Sequence, residues 1–120
     1  MCRSQSLARR FHTRIANPRH VVSELTFGIQ EERLQRNVDA VIAKGAQAVV
    51  LLFHNGMDVD LTLASRVTGI DVILGGHTHD AVPEPVSVRN RKGVTLVTNV
   101  GSNGKFLAVL DLDVLSGVNG

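Results

Sequence analysis

The apolar run Ala48–Phe53 is the feature that most constrains the fold of this chain. It reads AVVLLF without a polar break and stops at His54-Asn55-Gly56. A strand without polar alternation is typical of a parallel sheet that is covered on both faces by helices. Aromatic residues make up only 3% of the 120 residues, so aliphatic side chains must fill the core. The run therefore predicts a fully buried strand in an α/β domain.

Helical patterns flank this strand on both sides. Apolar residues recur at helical spacing from Ile29 to Ile42 and again from Met57 to Val67. Gly45 and Gly69 follow these segments closely and are placed to end the two helices.

Three further strands are predicted in the second half of the chain, separated by a loop that contains prolines. The strands are Asp71–Leu74, Val94–Thr98 and Phe106–Val114, and the loop runs from Val82 to about Lys92. The last strand alternates apolar and acidic residues, as a strand with one exposed face does. The order helix–strand–helix–strand–strand–strand predicts a layered α/β domain whose first two strands are parallel.

The charge of the chain is divided unevenly. Residues 1–20 contain five arginines and no acids, whereas the remaining residues contain eight basic and eleven acidic side chains. No stacking aromatics accompany the arginines, so we expect no nucleic-acid partner. No apolar run approaches the roughly 18 residues of a membrane span, and the arginine-rich front has no apolar stretch of a secretory signal peptide. Cys2 is the single cysteine, which excludes an internal disulfide.

Three histidines carry the strongest chemical signal. His54 follows the first predicted strand, and His77 and His79 follow the second, directly after Gly75-Gly76. Ligands collect at the carboxyl ends of parallel strands, and neutral imidazole binds Mn, Fe, Co, Ni or Zn. The alternative is a surface turn that happens to contain histidines. The position of all three at strand ends favours metal ligands.

Other polar residues near these loops have weaker signals. Asp58 and Asp60 lie in the first turn of a helix, where the helix dipole alone accounts for acidic residues. Asp80 either orients a histidine or is solvated. Asn55, Asn103 and Lys105 are further candidates: Asn55 adjoins His54, and Gly101–Lys105 either binds an anion through its backbone amides or forms a plain hairpin turn.

With these residues in view, the chain resembles the SoxB family of thiosulfohydrolases, in the 5′-nucleotidase branch of the metallophosphoesterases. The His-x-Gly and Gly-Gly-His-Thr-His motifs are shared by the whole superfamily, whereas HNGMDVD and GSNGKF resemble the SoxB branch in particular. The matching segments are IANPR (15–19), FGIQEERLQ (27–35), HNGMDVDLTLASRVTGIDVILGGHTHD (54–80) and TLVTNVGSNGKFLAVLDLDV (95–114).

The resemblance implies a layered α/β/β/α metallophosphoesterase sandwich, of which residues 14–120 form the C-terminal part of the catalytic domain. Residues 1–13 do not match and are expected to be irregular. The resemblance further implies two divalent metal ions, expected to be manganese, with His54 and His77 on one ion and His79 on the other. The implied enzyme removes sulfate from a cysteine S-thiosulfonate on a Sox carrier protein in the periplasm.

The family's other catalytic motifs have no counterpart in this sequence. These are an Asp-x-His, a bridging Asp, and a Gly-Asn-His-Glu that precedes the matching region, so the general acid and the bridging carboxylate cannot be assigned here. We therefore expect an internal part of a larger metal-dependent hydrolase, inactive alone. Two alternatives are a 5′-nucleotidase or other metallophosphoesterase, and a catalytically inactive remnant that binds metal weakly.

Overall fold

The computed structural model describes residues 30–114, which fold as two helices and four strands. The helices are α1 (Glu31–Ala43) and α2 (Met57–Arg66), and the strands are β1 (Val50–Leu52), β2 (Val72–Gly75), β3 (Val86–Asn90) and β4 (Gly93–Asn99). Neither helix in this range is long and apolar enough to cross a membrane. The predicted irregular segment 1–13 lies outside the described residues.

The four strands form one mixed sheet in the order β1-β2-β4-β3. β1, β2 and β4 run parallel, and β3 pairs antiparallel with β4. The carboxyl ends of the three parallel strands therefore share one edge of the sheet. The segments that follow β1 and β2, which contain His54 and His77, both begin at this edge.

The core lies between the sheet and the helices and is almost entirely aliphatic. Leu63 of α2, Ile73 of β2 and Val97 of β4 are no more than 1% exposed, and Leu34 and Val38 of α1 pack into the same cluster. The core positions in the helices recur every three or four residues, which is why helical periodicity identifies them. The core positions in the sheet fall within the central strands.

Polar contacts fasten the helices to the sheet. The Gln35 side chain accepts from the Thr68 N–H (2.8 Å) and donates to the Thr68 carbonyl (3.0 Å), which ties α1 to the end of α2. Arg66 and Glu31 form an ion pair of 2.8 Å between the two helices. The buried Thr95 hydroxyl donates to the Ile70 carbonyl at 2.7 Å. The Asn90 side chain of β3 donates to the Ala64 carbonyl of α2 at 3.1 Å, which holds this helix in a fixed relation to the sheet.

The structure confirms the predicted α/β class, both helices and the parallel pairing of the first two strands. The prediction of a fully buried first strand is wrong. Among the strands of residues 30–114, β1 is at the edge of the sheet, and Leu52 is 64% exposed while Leu51 is buried. Nothing in residues 30–114 covers the outer face of this strand, which is why an unbroken apolar sequence is only half-buried.

Two predictions for the second half are also wrong. The predicted loop Val82–Lys92 contains β3, which is held by a tight turn in which the Asn90 side chain accepts from the N–H groups of Lys92 and Gly93, both at 3.1 Å. The predicted strand Phe106–Val114 has no secondary structure and is exposed. Alternation favours a strand, but a strand also needs a backbone partner, and no strand among the described residues pairs with this segment.

The core predicts a sharp difference between two identical substitutions. Leu63→Ala should lower the free energy of unfolding by about 2–5 kcal/mol because it opens a cavity in close-packed surroundings. Leu107→Ala should change it by less than about 0.5 kcal/mol, since Leu107 is 90% exposed. Urea unfolding followed by circular dichroism measures both. Equal losses would mean that the core is elsewhere.

Candidate metal centre

Two loops meet at the carboxyl edge of the sheet and pack against each other. The first loop, residues 53–56, follows β1, and the second loop, residues 76–80, follows β2. A side-chain carbon at Gly76 would lie only 2.8 Å from the His54 Nδ1 atom. A side-chain carbon at Gly56 would lie 2.8 Å from the Thr78 methyl group. Glycine at both positions is therefore what permits the loops to approach this closely.

The Thr78 hydroxyl holds the loops in this arrangement. It accepts a hydrogen bond from the backbone N–H of Met57, at 3.2 Å, and donates one to the Asp80 carboxylate. The Asp80 carbonyl in turn accepts from the N–H of Gly101, at 2.8 Å. Asp80 thus has a structural role, because it connects the second loop to the segment after β4.

The packing brings the imidazoles of His54 and His77 together. Their ring centres are 5.3 Å apart and the rings are inclined by 72°. Two imidazoles on one metal ion, with bonds of about 2.1 Å, place their ring centres about 5 Å apart. The Nδ1 edge of His54 faces Gly76, so its Nε2 lies on the far edge of the ring. The observed spacing therefore fits two ligands of a single ion.

The second loop adopts a strained backbone. His77 and His79 have positive φ angles, of 82° and 58°. Side chains other than glycine rarely adopt this left-handed conformation, and when they do the positions are often functional. Here the strain accompanies the turn that directs His77 toward His54.

The described residues do not form a complete metal site. Between residues 30 and 114, no group of three or more His, Cys, Asp or Glu side chains is arranged to hold a metal ion. The structure brings His54 and His77 together and does not add His79 to them as a third ligand. The assignment of His79 to a second ion stays a prediction.

The remaining candidates occupy the margins of the site. Asn55 is partly buried in the first loop, next to His54. Asn103 and Lys105 are exposed and make local hydrogen bonds: the Asn103 amide donates to the Ser102 hydroxyl, and the Lys105 N–H donates to the Ser102 carbonyl. A role for Asn55, Asn103 or Lys105 in binding substrate stays a prediction.

The helix dipole alone does not account for the position of Asp60. Asp58 is exposed, as a residue that complements the helix dipole should be, but Asp60 is 0% exposed. Burial, reinforced by the negative charge of Asp58, raises the pKa of the Asp60 carboxyl to about 7. The signal was present in the sequence, because Asp60 is three and four residues before the core residues Leu63 and Ala64 and shares their face of α2.

Comparisons with known proteins support the same interpretation of the fold. No model of a protein family matches the sequence. The solved SoxB sulfate thiohydrolase of Thermus thermophilus is 45% identical, with a TM-score of 0.65 over 78% of this chain. The 5′-nucleotidase precursor of Thermus thermophilus is 34% identical, with a TM-score of 0.54 over 62% of this chain. The trifunctional nucleotide phosphoesterase YfkN of Bacillus subtilis is 35% identical over 89 residues, or 73% of this chain.

The mixed sheet and its helices match part of the α/β domain of the metallophosphoesterase fold class. Within that class, the chain belongs to the 5′-nucleotidase superfamily and is a SoxB-like member of it. It spans 17% of the length of each Thermus protein and 6% of the length of the Bacillus protein.

Gly75 provides a test of how tightly the site is packed. A side-chain carbon there would lie 2.2 Å from an Asp60 carboxylate oxygen and 3.1 Å from the Thr98 carbonyl. Gly75→Ala should therefore lower the free energy of unfolding by about 1–3 kcal/mol through overpacking. The matched control is Gly93→Ala, where the added carbon meets nothing within 4 Å. Thermal unfolding compares the two, and a Gly75→Ala variant as stable as Gly93→Ala would show that the Asp60 carboxylate is not seated against β2.

The raised pKa of Asp60 predicts how stability depends on pH. A carboxyl whose pKa rises from 3.8 in the unfolded chain to about 7 in the fold favours folding when it is protonated. This contribution is complete below about pH 4 and is lost as the pH rises through about 7, at up to about 1.4 kcal/mol per pH unit. Asp60→Asn removes this contribution and leaves the rest of the sequence unchanged. Urea unfolding at pH 5 and pH 8 should show a smaller difference for the variant, and equal differences would contradict the burial of this group.

Proposed function

We propose that this chain forms part of the active site of a two-metal hydrolase that removes sulfate from a cysteine S-thiosulfonate on a carrier protein. The observation that carries the proposal is the pairing of His54 and His77, with ring centres 5.3 Å apart, at the edge where strand-end loops meet. The segment that contains both histidines belongs to a SoxB-like chain. A sulfate thiohydrolase is thus the relative whose chemistry best accounts for these loops.

In this proposal His54 and His77 hold one divalent ion, and His79 contributes to a second. When bound, such a pair of ions activates a water molecule and neutralises negative charge on the group under attack. The chain's own part is to hold the imidazoles: Gly76 admits the His54 ring, and the Thr78 hydroxyl fixes the second loop to the start of α2. Residues for proton transfer would come from outside the described segment.

The proposed reaction is a hydrolysis that needs no oxidant. Water attacks the terminal sulfonate sulfur, and the bond from that sulfur to the sulfur behind it breaks. Sulfate leaves, and a persulfide stays on the carrier cysteine. A sulfonate is tetrahedral and rich in oxygen, as a phosphate is, so a scaffold that hydrolyses phosphoesters also suits this substrate. The proposal implies a Sox carrier protein as partner, manganese as the metal and the periplasm as the location.

Hydrolysis of nucleotides is the second candidate function. It is favoured by the identity of 34–35% to a 5′-nucleotidase and to a nucleotide phosphoesterase, and the Gly-Gly-His-Thr-His segment is compatible with either substrate. The identity of 45% to the sulfate thiohydrolase favours the first candidate. Because the chain spans so little of these relatives, we expect the isolated chain to hydrolyse neither substrate.

Metal binding by the isolated chain is the simplest test of the site. Two or three imidazoles bind weakly, and the affinity should rise from Mn²⁺ through Co²⁺ to Ni²⁺. Binding should weaken below about pH 6, where protonated imidazole cannot act as a ligand. Replacement of both His77 and His79 by alanine should remove most Ni²⁺ binding in titration calorimetry, whereas the His12 and His20 double variant serves as the matched control. Loss of binding in the control instead would show that the metal binds elsewhere.

Hybrid enzymes test the substrate. In one hybrid, residues 30–114 of this chain replace the matching segment of the Thermus thermophilus SoxB. In the other, they replace the matching segment of the 5′-nucleotidase from the same organism. The SoxB hybrid should release sulfate from a protein thiosulfonate in the presence of Mn²⁺, and the nucleotidase hybrid should hydrolyse AMP poorly. His77→Ala in the SoxB hybrid is the control: it should abolish sulfate release if the reaction depends on this chain. An active nucleotidase hybrid beside a folded but inactive SoxB hybrid would favour the nucleotidase.

A further inference from the structure

We propose that Asp60 and Asn99 are positioning residues that are joined by one buried water molecule, a polar link that fixes the end of β2 before the histidine loop. The inference rests on the proposed metal site for its functional meaning. Its structural basis is independent of any metal, because it comes from the burial and the placement of these two side chains.

Asp60 supplies an acceptor without a donor. Its side chain is 0% exposed, and neither carboxylate oxygen has a hydrogen-bond partner within the described part of the chain. One of these oxygens lies 2.2 Å from the position of a side-chain carbon on Gly75. The carboxylate therefore occupies the place beside β2 that any other residue at position 75 would fill with its own side chain.

Asn99 supplies a donor without an acceptor. It is 1% exposed, and its Nδ2 atom has no partner among residues 30–114. Its Oδ1 atom accepts from the N–H of Gly101 at 3.3 Å, which fixes the orientation of the amide and turns the NH₂ group the other way. The donor of this amide is thus buried and directed away from the turn after β4.

The sheet register brings the two groups together. Gly75 and Asn99 are directly paired in the parallel ladder between β2 and β4. Paired residues in adjacent strands are about 4.8 Å apart and direct their side chains to the same face of the sheet. The Asp60 carboxylate stands in for the missing side chain of Gly75, so it lies on the same face of the sheet as the Asn99 side chain. The two groups form no direct hydrogen bond, and a single water molecule between them would give each one a partner.

Chemical complementarity completes the argument. The Asp60 oxygens and the Asn99 Nδ2 are the buried side-chain atoms without partners in the described residues. An unsatisfied buried polar group is costly, and the cost is removed when a donor meets an acceptor. The link joins α2, β2 and β4 at the edge where the histidine loops begin. Because Gly75 is two residues before His77, loosening the link should misplace His77.

The experiment compares Ni²⁺ affinity and stability in a set of variants of this chain. Asp60→Ala and Asn99→Ala should each weaken Ni²⁺ binding about tenfold, a change that corresponds to about 1.4 kcal/mol. The double variant should bind no more weakly than either single variant. Asp60→Asn keeps an acceptor oxygen and should retain most of the affinity. The matched control is Thr95→Val, which removes another buried polar contact at the far end of β4 and should lower stability without changing Ni²⁺ affinity.

A second measurement needs no variant to fold. In the wild-type chain, the side-chain NH₂ of Asn99 should exchange with solvent much more slowly than that of exposed Asn103. Exchange as fast as that of Asn103 would overturn the link, as would additive losses of stability in the Asp60 and Asn99 double variant.

If the wild-type chain binds no Ni²⁺, the proposed metal function fails, while slow Asn99 exchange and non-additive stability would still support the link. Equal losses of Ni²⁺ affinity in Thr95→Val and the link variants would refute the positioning role.

Discussion

The close contact between Gly76 and the His54 ring is the constraint on which the site depends. A side-chain carbon at residue 76 would lie 2.8 Å from His54 Nδ1, so no other residue could occupy that position without moving the ring. The same contact brings the His77 ring to 5.3 Å from that of His54. Two imidazoles from loops that follow separate strands thus come together because the backbone of one loop packs closely against the other.

The layer beneath these loops is polar, which is unusual for so small a core. Asp60 and Asn99 are buried where aliphatic side chains would give more stability. Their position behind Gly75 places them next to the turn that presents His77. Burial of these polar groups lowers the stability of the fold, but it fixes the geometry of the sheet edge where the histidine loops begin.

Much of the fold could be predicted from sequence because the signals were local. Helical periodicity identified α1 and α2, and the apolar run and the glycine pair identified the strand ends that carry His54 and His77. The failures have a common cause in tertiary context. The exposure of Leu52, the lack of a strand at Phe106–Val114 and the pairing of β3 all depend on which backbone lies alongside. The burial of Asp60 also depends on tertiary context, because the helix dipole accounts for an acidic residue in the first turn but not for its place on the same helical face as Leu63.

The central claim is that the two loops present His54 and His77 to the same metal ion. Paramagnetic broadening of the imidazole signals during a Mn²⁺ titration of the wild-type chain tests it directly, because broadening falls steeply with distance from the ion. The account predicts that the signals of His54 and His77 broaden together, at the lowest Mn²⁺ concentrations and before those of His12 and His20. Broadening of only one of the pair, or of His12 and His20 first, would contradict it.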